Sequence, residues 1–172
     1  MEYVLKPILP SGIDAALHKA DKYRELNQPS EAESICRDVL AVDAENQLAL
    51  RVLGLALTDQ FGVSSGAHFA EAEHVFARLR DTYERRYYTG VAFERQAKAQ
   101  LAAGVPLYAV RPLFDQALEK YAAAEASRAP GNDDPILRWN SCIRALHAVP
   151  GLRTAVRETP AESETEFVHI RR

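Results

Sequence analysis

The chain has 172 residues, 47% of them hydrophobic and 26% charged, with a formal charge of −3 and a pI near 6.0. This composition excludes a wholly disordered chain, and 8 Gly with 9 Pro exclude a collagenous or low-complexity one. No net basicity points to nucleic acid or to an anionic membrane surface, so neither is expected as a partner.

Length sets a single domain as the expectation. Cys36 and Cys142 lie far apart and outside any C-x-x-C pair. Buried, reduced thiols are expected rather than a disulfide framework or a zinc site. Met1 to Gly12 lacks the apolar run and cleavage site of a secretory signal. No stretch approaches the roughly 20 apolar residues of a membrane span. The cytoplasm is the expected location.

In chain order, every element reads as helix and none as strand. Ser11 or Asp14 is expected to cap the first helix, which runs to Leu26 with Ala16, Leu17, Ala20, Tyr23 and Leu26 at helical spacing. Asn27 to Ser30 is a turn. Ser30 and Glu33 have the spacing of a capping box, opening a second helix over Glu31 to Val42. Asp43-Ala44-Glu45-Asn46 leads into a third, Gln47 to Phe61. Gly62 to Gly66 reads as a loop, and a fourth helix covers His68 to Thr82.

The next helices are longer. Tyr83 to Ala103 ends at Gly104, and helix resumes at Pro106 through Ala126. Pro112 is expected to kink that helix or to mark its true start. Ala129 to Asp133 is a stop signal, after which the seventh helix runs from Asp134 to Ala148. The organisation is therefore an extension over 1–12, a helical domain over 13–148 and a flexible tail over 149–172. The alternating Phe167, Val168, His169 and Ile170 suit docking as a strip on a groove of the same or a neighbouring chain, which makes self-association through the tail an expectation.

Alternation of helix and turn calls for a repeat search. Ile13 to Asn46 is 34 residues long, and the next copy starts at Gln47. Ala20 superposes on Gly54 and Tyr23 on Leu57. With six extra residues in the second copy, Ala32 falls on Ala72, Cys36 on Phe76 and Val39 on Leu79. Leu53-Gly54, Glu31-Ala32, Glu71-Ala72 and the closing Asp43-Ala44-Glu45-Asn46 add to the pattern. In a third, longer copy Thr89-Gly90 and Phe93 fit one register, and Ala97, Gly104 and Ala109 another. Trp139 begins the matching pattern within the last helix, with Cys142, Ile143 and Leu146 following.

Over 13–147 this pattern resembles the tetratricopeptide repeat (TPR) family. It departs from the family in having Ala16 at the usual Trp position and Ala44 at the usual Pro. The resemblance implies an all-α fold, a right-handed superhelix of stacked antiparallel helix pairs: about three repeats plus a C-terminal capping helix. It further implies a concave groove lined by the first helix of each pair, used for binding. Small residues at helix crossings fit that packing without the family name, since a single hairpin cannot bury both faces.

Helical spacing places Leu17, Asp21 and Arg24 of the first copy on the groove. Arg51, Leu55 and Thr58 follow from the second, Tyr87, Val91, Glu94 and Arg95 from the third, and Asn140, Arg144 and His147 from the last helix. Some family members hold chaperone C-terminal carboxylates through Lys, Asn and Arg. Leu17, Asp21 and Val52 stand at such positions here, so that ligand is not expected.

His68, Glu71 and His74 spread over about 120° of a helix, poor geometry for one ion. Arg78, Arg80, Arg85 and Arg86 form a basic run diluted by Asp81, Glu84 and Glu94, and ordinary surface pairing is expected. No nucleophile elbow, phosphate loop or dinucleotide fingerprint occurs. The expected function is a non-enzymatic adaptor or scaffold, without cofactor or metal, that binds a peptide or helix of another protein. The alternatives are a secretion-type chaperone for an unfolded client, and a helical enzyme or ligand-binding regulator.

Overall fold

The computed structural model describes residues 3–62 and 65–155. Among these residues lie seven α-helices and no strand. They are α1 (Ile13–Glu25), α2 (Pro29–Val42), α3 (Gln47–Thr58), α4 (Ser65–Ala77), α5 (Thr82–Ala102), α6 (Leu107–Glu125) and α7 (Asp134–Ala148). Short 3₁₀ turns cover Pro10–Gly12 and Leu152–Thr154. No helix among the described residues is long and apolar enough to cross a membrane.

Local chemistry sets the helix ends. Asn27 adopts the left-handed conformation, φ 57°, which closes α1. The Gln28 N–H then donates to the Tyr23 carbonyl (2.8 Å) and the Asn27 N–H to that of Arg24 (2.9 Å), satisfying carbonyls the helix leaves open. Asn46 caps α3 by accepting from the Ala49 N–H at 2.9 Å, and Asp81 caps α5 by accepting from Glu84 at 2.8 Å.

Several expected boundaries move. Gly12, not Ser11 or Asp14, is the N-cap of α1, because the 3₁₀ turn before it already delivers the backbone. Pro29 starts α2 before Ser30, with its φ fixed for the first helical position. Glu33 is thereby carried past the first turn, and it accepts from Arg37 (2.7 Å) and Gln60 (2.8 Å) rather than closing a capping box. The fourth helix stops at Ala77, freeing Asp81 to cap the next. Pro112 sits inside α6 without ending it, on the exposed side of the helix.

Consecutive helices pack on each other. The odd-numbered helices also contact in series, α1 on α3, α3 on α5 and α5 on α7. Two apolar cores result. One gathers Leu17, Cys36, Leu50, Leu57 and Phe76 from α1 to α4. The other gathers Val91, Phe114, Tyr121, Cys142 and Leu146 from α5 to α7. Full burial of a large apolar side chain such as Phe76 contributes roughly 2–3 kcal/mol.

Close helix approach depends on two glycines. A Cβ on Gly54 would lie 2.2 Å from the Phe76 ring, and one on Gly90 would lie 2.8 Å from the ring of Tyr121. The Gly54–Phe76 contact joins the two positions superposed on Ala20 and Cys36 in the sequence. A second close approach, Gly90 of α5 against Tyr121 of α6, lies within the long α5–α6 pair. Leu152 is completely buried in the second core, so packed structure continues past the expected boundary at 148. The expected tail beyond Ala155 lies outside the described residues.

Candidate functional site

The odd-numbered helices share a run of charged side chains. On α1, Asp21 lies 3.8 Å from Arg24. Arg24 Nε donates to Asp59 Oδ2 at 2.9 Å, just beyond the end of α3. The other oxygen of Asp59 accepts from Arg95 of α5. Arg95 also donates to the Thr58 hydroxyl at 2.5 Å. One carboxylate thus joins α1 and α5 across the end of α3. Burial pulls the guanidinium of Arg95 below its ordinary pKa against the pull of Asp59, and the nearby charges of Arg138 and Arg24 push the same way as burial. Nearer the start of α3, Arg51 pairs with Glu84 of α5 at 2.8 Å.

The second centre is Glu94, fully buried on α5. Its Oε2 accepts from the Tyr121 hydroxyl at 2.6 Å and lies 3.7 Å from Arg138. Its Oε1 accepts from Lys98 (2.5 Å) and Ser141 (3.3 Å). Four partners from α5, α6 and α7 satisfy one carboxylate, as a buried charge requires. Burial, then the Glu94 charge, pushes the Tyr121 hydroxyl far up. Burial works against the charge of Arg138, but the Tyr87 hydroxyl and Glu94 beside it hold its pKa up.

Cys142 stands close enough to feel Glu94, Lys98 and Arg138, yet burial pushes its thiol up to about 12. A thiol held there is a poor nucleophile at neutral pH. Among the described residues, no group of three or more His, Cys, Asp or Glu gathers to hold a metal ion. Glu71 instead pairs with Arg37 at 2.9 Å.

The expected groove residues divide. Leu17 and Val91 are core residues at 2% and 1% exposure, which corrects their assignment to the groove. Glu94 is corrected likewise: it faces Tyr121, not solvent. The expected stripe overlaps the buried one at these three positions, because Leu17 shares the inward side of α1 with Ala20, and Val91 and Glu94 that of α5 with Gly90 and Ala97. Asp21, Arg24, Arg51, Leu55 and Tyr87 remain partly accessible, with Arg24 and Arg51 engaged in ion pairs. Tyr87 stacks on Tyr83 at 5.8 Å and meets Tyr88 edge-on at 5.1 Å.

Asn140 and Arg144 are exposed, but they lie across α7 from the buried Cys142–Leu146 stripe. Arg138 and Ser141 are the residues that α7 turns toward Glu94. Sequence reasoning missed these two along with Asp59, Lys98 and Tyr121. Only the Glu94–Lys98 spacing of four residues carried a local signal. The chain matches no family model, no curated protein and no solved structure.

Proposed function

We propose that this chain is a non-enzymatic interaction module of TPR-like build, three helix pairs in a right-handed superhelix closed by α7. It would hold a segment of another protein along the face of its odd-numbered helices. The observation that carries the reading is the serial contact α1–α3–α5–α7. It makes four helices from successive hairpins into one surface, the geometry by which stacked repeats bind extended segments.

The chemistry of that face supports it. Arg24 and Arg95 share Asp59, and the half-exposed Lys98 and Arg138 stand over the buried Glu94. Each arginine has five N–H donors, so donors remain for a partner's carboxylates or carbonyls. Leu55 and Tyr87 supply apolar contact beside them. Tyrosine and arginine are the side chains that most often anchor protein interfaces.

The test is affinity capture from native lysate with mass spectrometry, comparing wild type with Arg24→Ala plus Tyr87→Ala. Circular dichroism first establishes that the variant is folded. A protein retained by wild type and lost by the variant supports the reading and identifies the partner. The same protein retained equally by both places binding off this face and overturns it.

A further inference from the structure

On the opposite side of α5, a cleft of about 600 Å³ opens between α4 and α6. Thr89 and Phe93 of α5 line it, with Glu73 and His74 on the α4 wall and Lys120 on the α6 wall. Arg85 and Arg86 stand at one end. Phe93 is half-buried and meets Phe69 edge-on at 5.3 Å, so part of the lining is apolar.

The charges here are unbalanced. Arg85 donates to the Leu79 carbonyl at 2.6 Å and Arg86 to that of Ala123 at 3.1 Å. A carbonyl orients a guanidinium but does not neutralise it. Neither arginine has a carboxylate within ion-pair distance among the described residues, whereas Arg24, Arg37, Arg51, Arg78, Arg95 and Arg138 each do. Lys120 reaches only Glu119, at 3.5 Å. The one acid lining the cleft, Glu73, has its carboxyl pKa pushed up by burial against the pull of Lys120, which weakens it as a counter-charge. The cleft therefore suits an anionic segment with apolar residues beside its charges.

This chain carries such a segment. Glu162, Glu164 and Glu166 alternate and run directly into Phe167, Val168 and Ile170. In an extended strip the three carboxylates share one side with Val168 and Ile170. The strip follows Ala155, just after the Leu152–Thr154 turn, where Arg111 of α6 holds the Arg153 carbonyl. Lys120 lies roughly 13 Å further along the same helix. The seven residues from Ala155 to Glu162 span up to about 23 Å, enough to pass around a helix about 10 Å across.

We infer that segment 156–172 docks within its own molecule into the α4–α6 cleft, its glutamates against Arg85, Arg86 and Lys120 and its apolar residues over Phe93. This surface is separate from the odd-helix face, and the inference stands apart from the proposed binding function.

The test is NMR relaxation of the full chain. Docking predicts order parameters near 0.85 for residues 162–170, falling below about 0.6 in high salt. Glu162→Lys, Glu164→Lys and Glu166→Lys together should release the strip and shift the Thr89 and Phe93 amides, without altering any residue of the packed helices. Lys120→Glu added to this triple variant should restore part of the order. Order parameters below about 0.6 throughout 162–170 in wild type would overturn the inference. So would Thr89 and Phe93 amides unmoved by the triple variant. Ordering that disappears on dilution assigns the strip to a second copy and overturns docking within one molecule.

Discussion

Gly54 of α3 lies against the ring of Phe76 on α4 so closely that a methyl group on it would fall 2.2 Å from a ring carbon. Phe76 is also fully buried and stacked on Tyr88 at 5.5 Å, so the ring has no space to retreat. Gly54→Ala gains about 1 kcal/mol of helix propensity, but overpacking of this kind costs about 1–3 kcal/mol. The expected result is net destabilisation in urea unfolding. Gly66 on α4 has nothing within 4 Å of the added Cβ, so Gly66→Ala should be neutral or stabilising. Equal effects at the two sites would refute the close approach.

Tyr121 and Glu94 form the buried link between α5 and α6. Tyr121→Phe keeps the ring against Gly90 and removes only the hydroxyl that donates to Glu94. Loss of a hydrogen bond to a charged group should cost about 1.5–3 kcal/mol. Unfolding of wild type, Tyr121→Phe, Glu94→Gln and the double variant gives the coupling. Additive effects would mean that the two groups do not interact as the geometry indicates.

Asp59 is shared by two arginines and partly buried, whereas the Lys22–Glu25 pair is exposed. Asp59→Asn should therefore destabilise by about 1–2 kcal/mol, since Arg24 and Arg95 both lose their carboxylate. Glu25→Gln should leave the unfolding midpoint where it is, as exposed pairs contribute little. The same midpoint for all three proteins would show that the link through Asp59 contributes nothing.

Burial pushes the thiols of both Cys36 and Cys142 from 9.0 up to about 12. Neither should react with a disulfide dye at pH 8 until urea unfolds the chain. Above about pH 9 the unfolded thiols lose their protons while the folded ones keep theirs. Stability should then fall with rising pH, by at most about 1.4 kcal/mol per pH unit for each thiol, until about pH 12. A Cys36→Ala, Cys142→Ala variant should lose less stability over this window. Equal slopes would remove the thiols as the cause.

The helices were legible in the sequence because their apolar stripes are strong and their turns short. Gly54 was legible as a small residue at a helix crossing, since one repeat copy could be laid on another. The ring each glycine meets was not: 31 positions separate Gly90 from Tyr121 against 22 between Gly54 and Phe76, and no fixed period connects them. The caps at Ser11 and Ser30 misled because a 3₁₀ turn and Pro29 deliver the backbone first. Glu94 misled because a carboxylate reads as surface until Tyr121, Lys98, Arg138 and Ser141 converge on it. That convergence requires three helices in place, which helical spacing within one of them does not encode.

Within α5, Ala92 belongs to the first core and its neighbour Val91 to the second. Arg51 and Asp59 on one side, and Tyr121 and Arg138 on the other, fasten to this same helix. Under tension applied at its two ends, the molecule transmits force between its halves chiefly through α5. Peeling α1 away would spare the second core, but melting α5 would leave both cores with an open wall, so this helix sets the mechanical limit of the fold.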